Sequence, residues 1–433
     1  MTNTRVAVVG GGIGGLCLAQ GLHGAGIDVT VHERDRTPAD RLQGYRVHID
    51  PDGSRALRDC LPPELWEAFL ATSSRDAQDF RFLSHRMRPL LTLESPPVTD
   101  PVDAHHSVSR ITLRQILLSG LEDPSGVVRF GKTFESYTRD PGDPGGPVTL
   151  RFADGTTETA DIVVAADGGN SRVRRQYLPH ARRVDTGIVT IAGKFPLTGA
   201  TRPLVDPGLY EAVNMVVPPR GLGMFVAPHD LTGDGNTGNT PLPPGIGRTE
   251  QEGALFDNTG GYVMWAFGAA TGRFPDDLAT MDGERLRDTV ARMTEGWHPD
   301  LRTLVTASDP GTVSLLPIRT SVPIGPWPAT NITLLGDAIH SMTPMRGVGA
   351  NVALRDARSL HRALTGALTG GGDPVAAIAA YEAEMRGYGF AAVRASLKAA
   401  HQFVDENPVT RAGMRTFLRA AGRVSALRRR AAS

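Results

Sequence analysis

One stretch near the start of the chain, from Arg5 through Val-Ala-Val-Val-Gly-Gly-Gly-Ile-Gly-Gly to Leu16, restricts the possible folds more than any other. Val6 to Val9 is a short apolar, β-branched run of the kind that forms a parallel strand buried on both faces. Gly10, Gly12 and Gly15 follow at G-x-G-x-x-G spacing, with Ile13 and Gly14 between them where a helix opens. In such a turn the first glycine permits the tight bend, the second lets the backbone approach a pyrophosphate, and the third lets helix pack on strand. The phosphates then sit at a helix N-terminus, where unpaired N–H groups and the dipole favour negative charge. Val29 to Glu33 reads as the second strand. Glu33, with Arg34 beside it, stands about 20 residues past the turn, where a carboxylate accepts hydrogen bonds from ribose hydroxyls. In a chain with 50 glycines the spacing alone is weak. Strand, turn, helix, strand and acid in that order make it specific for a ligand with a pyrophosphate.

Composition sets the frame around this motif. A length of 433 residues with 40% hydrophobic content allows two domains or one large α/β unit. Forty-six basic residues balance 46 acidic ones, so no overall field points to nucleic acid or to an anionic membrane. Cys17 and Cys60 are too few and too separated in sequence for a disulfide framework or a metal cluster, and the 12 histidines show no ligand spacing. Neither a run of about 18 apolar residues nor a signal-peptide pattern is present, so a cytoplasmic protein is expected.

Further along, Gly44 to Arg46 is a candidate ligand-facing loop, with a solvated charge as the other reading of Arg46. Asp52 to Leu61 reads as a helix closed by Pro62 and Pro63, and Phe80 to Leu83 and Leu90 to Leu93 as strands of a sheet other than the first. The apolar spacing after Val108 predicts a helix with Arg110 and Arg114 one turn apart. Val148 to Phe152 alternates into a hairpin at Asp154-Gly155, and Asp161 begins a buried strand ending at Asp167-Gly168. Between Arg175 and Pro317 longer alternating strands dominate, at Gly187 to Phe195, Leu209 to Val217, Leu222 to Ala227 and Tyr262 to Phe267. Leu231 to Gly260 reads as a long mobile loop. A buried strand from Asn331 runs into Gly336-Asp337, and Met342 to Asn351 forms a second glycine-punctuated turn into a helix. Helices are expected at Pro374 to Ala400 and Val409 to Arg430, the latter with an apolar stripe of Met414, Phe417, Leu418, Ala421 and Leu427. The expected fold is α/β. A discontinuous Rossmann-like domain comprises residues 1–75, 101–175 and 318–373, a mostly antiparallel sheet domain comprises 76–100 and 176–317, and helices fill 374–433.

Taken together, Gly10 to Gly15 with Glu33, Asp161 to Arg174, and Gly336-Asp337 to Asn351 resemble the single-component FAD-dependent aromatic hydroxylases. The Gly-Tyr-Arg-Val-His-Ile and Thr-Pro-Met-Arg-Gly-Val-Gly-Ala-Asn segments look most like the salicylate-hydroxylase-like branch, alongside tetracycline hydroxylases. The resemblance implies that Gly10, Gly12, Ile13, Gly14, Gly15, Glu33 and Arg34 hold the ADP half of FAD. Arg46 and Arg110 would contact the cofactor near its phosphates or ribityl chain, and Gly336 and Asp337 its ribityl hydroxyls or pyrophosphate. Asp167 and Gly168 are associated in the family with both FAD and NAD(P)H. Pro344 would wall the flavin face, and backbone N–H groups of Gly347, Val348, Gly349, Ala350 and Asn351 would stabilise charge at N1 and O2. Where the family often has proline after the histidine, Ser341 stands here, and His340 reads as a structural turn residue.

By the same resemblance, NADPH or NADH reduces FAD, O2 adds to form a C4a-hydroperoxyflavin, and one oxygen passes to an aromatic or polyketide-like substrate. The cofactor carries the chemistry, so neither a catalytic triad nor a metal is required. Candidate pocket residues are Tyr210, Asn214, Met224, Trp265 and Phe267, with core packing as the other reading of each, since a one-residue shift of register reverses the face. A flavin-dependent halogenase is disfavoured because Trp66, Trp265, Trp297 and Trp327 are too far apart for that class's Trp-x-Trp segment. A reductase or oxidase of the same fold and a non-catalytic flavin-binding protein remain alternatives. No thioredoxin-like segment follows the last helices, so a monomer or a homodimer formed without one is expected.

Overall fold

The computed structural model describes residues 4–38, 46–75, 79–94, 98–122, 126–140, 143, 145–229 and 261–432. Gly44, the Leu231 to Gly260 segment and the side chain of Leu427 lie outside the described residues. The apolar run after Thr4 forms a strand, Arg5–Val9, at the centre of a five-stranded sheet. The order is Ile332–Leu334, Ile162–Ala165, Arg5–Val9, Asp28–His32, Val128–Arg129, and every neighbouring pair is parallel. Val6 to Val9 are at most 2% exposed, as a strand covered on both faces requires. The Ile13–Gly24 helix packs on the Gly349–Gly370 helix, which in turn meets Pro51–Cys60 and Pro374–Phe403. Cys17 and Cys60 meet where the first two of the sequence-early helices touch; both are buried free thiols, and their mutual hydrogen bond together with burial pushes the Cys17 thiol up. Because the strands run in parallel, the segments leaving their C-terminal ends share one edge. That edge holds Gly10, Glu33, Ala166-Asp167 and Leu335-Gly336.

A second sheet of seven strands has the order Ser314–Ser321, Arg183–Pro196, Tyr262–Ala270, Leu222–His229, Val213–Val216, Phe80–Leu83, Pro89–Leu93. It is antiparallel except where Val213–Val216 pairs with Phe80–Leu83. Phe80–Leu83 and Pro89–Leu93 thus join this sheet and not the first, as their sequence suggested. The long strand Arg183–Pro196 carries an irregularity between Asp185 and Ile188, where Gly187 adopts φ +70°. Ser314–Ser321 pairs with that strand, so the sheet runs a few residues past Pro317.

Other elements depart from the sequence reading. Leu209 to Val217 is not one strand: Pro207 opens a short helix, Gly208–Glu211, before the strand Val213–Val216, because its fixed φ favours a helix start. The helices Gly283–Met293 and Pro299–Thr306, N-capped by Asp282 and His298, cover one face of the large sheet. The C-terminal helix Pro408–Ala432 lies along the edge strand Pro89–Leu93. That edge offers only a narrow seam, so Leu418 is buried and Met414 partly buried, while Phe417 is 70% exposed. Among the described residues no helix is long and apolar enough to cross a membrane.

Candidate dinucleotide site

Each glycine of the first turn meets a different physical demand. Gly10 has φ +109°, and a Cβ there would collide with the Ala166 carbonyl. A Cβ at Gly15 would strike the Gly10 carbonyl, and one at Gly14 would press on Leu335 and Ala353, so these two serve the contact of helix with sheet. Gly12 differs: its φ is −81°, and a Cβ there would meet nothing within 4 Å. Among the described glycines of this turn, Gly12 alone has open space where a side chain would stand, and it borders the cleft. As N-cap of Ile13–Gly24 it supplies no side-chain cap, which leaves the first N–H groups of that helix for a ligand.

Glu33 reaches back across this turn. Its Oε2 accepts the Gly11 N–H at 2.6 Å and its Oε1 accepts the Asp35 N–H at 2.9 Å, which fixes the carboxylate while leaving lone pairs for hydroxyl donors. Arg114 donates to the carbonyls of Gly11 at 3.3 Å and Pro38 at 2.7 Å and lies 3.8 Å from Asp35. The paired arginines of one helix therefore divide: Arg114 tethers the glycine turn, while Arg110, one turn earlier, lines the cleft. That cleft, of about 640 Å³, is bordered by Gly10, Gly12, Ile13, Glu33, Arg34 and Arg110, and across it by Asp167 and Gly168. Lys132, Asn170 and Arg172 also border it; they were not singled out from the sequence, where nothing local marks them.

Asp167 accepts the Arg172 N–H through Oδ2 at 2.8 Å, while its Oδ1 is buried without a partner. Burial pushes its carboxyl up. Arg174 donates to the Ala338 carbonyl at 2.8 Å and to Gly169 at 3.0 Å, tying the Asp167 loop to the one that carries Asp337. Asp337 itself is exposed, and its charge is felt by Arg183. The unspent helix N–H groups, the open space at Gly12 and the orphaned Asp167 oxygen together fit a dinucleotide laid across the strand ends.

The second turn is held from behind. Gly336, at φ +59°, donates its N–H to Asp356 Oδ2 at 2.7 Å. The same oxygen meets His340 Nε2 at 2.6 Å, and Tyr388 donates to Oδ1 at 2.6 Å. Burial opposes charge on His340, but Asp356 outweighs it and holds the imidazolium above its ordinary range. His340 is thus held in a buried ion pair with Asp356 behind the turn. Asp356 was missed; its signal is an acid on the apolar stripe of Leu354, Ala357 and Leu360. Gly347 takes φ +64°, and the Gly349–Gly370 helix then begins without a side-chain cap. Pro344 and Gly347 are exposed there, and Val348, Gly349 and Ala350 partly so. The Asn351 side chain is already spent, donating to the His48 carbonyl at 2.9 Å and accepting the Asp50 N–H at 3.0 Å.

Two sets of expected residues fall elsewhere. Arg46 is not on the cleft: its guanidinium donates to Ser107 Oγ at 2.9 Å and to the Ser107 carbonyl. Met224, Trp265 and Phe267 are fully buried in the core beneath the Gly283–Met293 and Pro299–Thr306 helices, with Trp265 Nε1 donating to Ser308 at 2.8 Å. Tyr210 packs against that core from its short helix, and Asn214 donates to the Gly208 and Ala212 carbonyls. Asn214, Met224, Trp265 and Phe267 take the helix-covered side of the sheet because strand alternation, unread from sequence, puts them there, and Tyr210 joins them from its helix.

Comparison with known proteins agrees with this geometry. The FAD binding domain family matches residues 3–207 and 280–396. A dual O-methyltransferase/FAD-dependent monooxygenase of Cercospora beticola is 33% identical over 88% of this chain, and the chain spans 44% of that protein's length. The 3-amino-4-hydroxybenzoate 2-monooxygenase of Streptomyces platensis is 30% identical over 82% of this chain and 77% of its own. A crystal structure from Photorhabdus luminescens, assigned as an FAD-containing monooxygenase, is 36% identical and superposes with a TM-score of 0.79 over 93% of this chain and 98% of that one. With its glycine turn, its strand-end acids and this match over most of its length, the chain belongs to the FAD binding domain family, and the relatives named here are FAD-dependent monooxygenases.

Proposed function

We propose that this chain is an NAD(P)H-dependent FAD monooxygenase that inserts one oxygen atom from O2 into an aromatic or polyketide-like small molecule, most simply as a hydroxylation. The observation that carries the reading is the single edge on which Gly12, Glu33, Asp167 and Asp337 follow adjacent parallel strands. Gly10, Gly12, Ile13 and Glu33 would hold the ADP half, with Arg34 and Arg110 at the cleft rim, and Asp337 would take the ribityl or pyrophosphate oxygens. When bound, FAD supplies the electron transfer from nicotinamide and the activation of oxygen. The chain's own part is to bind, to orient and to exclude water. The Gly349–Gly370 helix begins without a side-chain cap, so its first backbone N–H groups and the positive end of its dipole would be available to stabilise negative charge on the bound cofactor. The Gly336 turn, clamped by Asp356, keeps Asp337 in place. Substrate preferences carried in the relatives' names, an aminohydroxybenzoate among them, support an aromatic ring as substrate.

The test is the visible spectrum of the purified protein, followed by anaerobic NADPH or NADH with and without a panel of phenols and polyketides. Flavin bands that bleach faster with one compound, and incorporation of one labelled oxygen from O2 into that compound, are expected. A flavin that no nicotinamide reduces, or one that is reduced without oxygen reaching any product, would overturn the proposal in favour of a sensor or an oxidase.

A further inference from the structure

The helix Pro408–Ala432 is held from one side only. Arg411 is buried and donates to the Gln402 carbonyl at 3.2 Å and to the Leu222 carbonyl. Leu418 is buried with Leu90 and Val217, and a Cβ at Gly422 would collide with the Leu90 carbonyl. The opposite side carries Val409, Gly413, Phe417, Ala420 and Val424, all exposed, at steps of three and four residues. That spacing sets them in one stripe about 80° wide. Val409 is 78% exposed and Val424 52%, so the stripe has no cover within this chain. Arg415, Arg419 and Arg423 run along one flank of it, about one turn apart. Between Pro408 and Ala432 the sequence holds seven arginines and neither a lysine nor an acid, although the chain as a whole is neutral.

A second segment adds charge to the same surface. Between the strands Phe80–Leu83 and Pro89–Leu93 the chain turns tightly. The Ser84 N–H donates to the Arg88 carbonyl at 2.9 Å, the Met87 N–H to the Ser84 carbonyl at 2.8 Å, and Ser84 Oγ accepts the Arg88 N–H at 3.1 Å. Met87 takes φ +56°, the one positive φ outside glycine among the described residues, a conformation that costs free energy in an L-residue. Arg86 and Arg88, on either side of it, are exposed. His85 in the same turn lies in the field of both segments: burial first, then Arg415 and Arg86, push its imidazole down. Arg415 in turn feels Arg419, and its Nε is buried without a partner. Turn and helix therefore converge on one positive patch. Among the described residues the guanidinium groups of Arg86, Arg88, Arg419 and Arg423 have neither a hydrogen-bond nor an ion-pair partner.

Two chemistries thus stand open side by side: apolar area that is more stable out of water, and like-signed forks that pair best with anionic oxygens. A second copy of the chain would bring its own unneutralised arginines to the seam, where they repel. An anionic phospholipid surface meets both demands. Its phosphates face the arginines, while Phe417 and Val424 enter the boundary between headgroups and acyl chains. So many arginines prevent the helix from spanning a bilayer, and it lies in the plane instead. We propose that the outer face of Pro408–Ala432, together with the Ser84 to Arg88 turn, docks the chain on a membrane surface of anionic phospholipid. The patch sits on the edge strand Pro89–Leu93, and none of its residues borders the dinucleotide cleft.

The test is flotation of the full chain with vesicles of phosphatidylcholine alone and of phosphatidylcholine mixed with phosphatidylglycerol. The mixed vesicles should bind at least about tenfold more tightly, and the preference should fall away at about 1 M salt, where the screening length is about 3 Å. The double variant Arg419→Gln with Arg423→Gln should bind the mixed vesicles about 30-fold more weakly, the loss expected for two charges at a lipid surface. Phe417→Ser should weaken binding about tenfold, and Phe417→Leu should restore most of it. Arg151→Gln, on an exposed strand of another sheet, should bind like the parent. Equal binding to both vesicles, binding to neither, or parent-like binding by the double arginine variant or by Phe417→Ser would each overturn the proposal. Capture by polyglutamate beads without binding to mixed vesicles would assign the patch to an acidic protein and overturn it too. Should the helix variants fail to fold, Arg86→Gln with Arg88→Gln, on the separate turn, decides by the same measurement: a loss of about 30-fold is expected, and parent-like binding refutes the shared surface.

Discussion

Replacing Gly12 by valine separates ligand binding from folding. Gly12 has a φ of −81°, ordinary for any L-residue, and an added Cβ meets nothing within 4 Å. The empty protein loses only glycine's advantage over an aliphatic N-cap, about 1 kcal/mol or less. With a dinucleotide present the same side chain occupies the space through which helix N–H groups reach the pyrophosphate. Charge-assisted hydrogen bonds are worth about 1.5–3 kcal/mol each, so losing two raises the FAD Kd by roughly 10² to 10⁴-fold. Gly10→Ala is the contrasting case, since φ +109° and the collision with the Ala166 carbonyl strain the fold itself. The assay is thermal unfolding of the stripped proteins together with FAD titration by flavin fluorescence quenching. Gly12→Val should unfold within about 4 °C of the parent and bind FAD at least about 100-fold more weakly, while Gly10→Ala should unfold much earlier. Parent-like FAD affinity in Gly12→Val, or a loss of stability matching that of Gly10→Ala, would refute the division of labour among these glycines.

Asp337→Ala should purify with little flavin while its unfolding temperature without flavin stays unchanged, because Asp337 is exposed and its neighbours are held by Asp356; full flavin occupancy by absorbance would contradict its role. Trp265→Ala should cost about 3–5 kcal/mol in denaturant unfolding, as a fully buried indole hydrogen-bonded to Ser308, and a near-neutral result would argue against its core position. Burial pushes Glu382 up to about 7, against an ordinary value of 4.5, although Thr333 donates to it at 2.8 Å. Between those two pH values the folded chain keeps a proton the unfolded chain has released, so stability falls as pH rises through that window. Glu382→Gln should remove that slope and gain about 3 kcal/mol at pH 8, and a variant whose denaturant stability keeps the parent's pH dependence would show the group is not the cause.

The site was legible wherever its signal is local. Gly10, Gly12 and Gly15 reveal the turn because each demand, a positive φ, an open Cβ direction and a close helix, falls on a residue within one strand–turn–helix unit. Glu33 was legible because the helix between two parallel strands fixes its distance from that turn. Asp356 and Arg114 were harder. Their partners are the Gly336 N–H and the carbonyls of Gly11 and Pro38, brought near only when separate segments pack together.

The sheet faces mark the boundary most clearly. Tyr262 to Phe267 was readable as a strand from its composition, yet a period of two says only that odd and even residues part company. Which set faces the cofactor depends on where the Gly283–Met293 and Pro299–Thr306 helices settle and on Phe403 arriving over Gly223 and Gly268 from another helix. The local pattern of residues therefore determined the dinucleotide turn, the α/β class and the family. Tertiary packing alone decided that Trp265 and Phe267 are core, and that Lys194, His229 and Tyr262 stand together, because burial of one face is a property of everything that covers it.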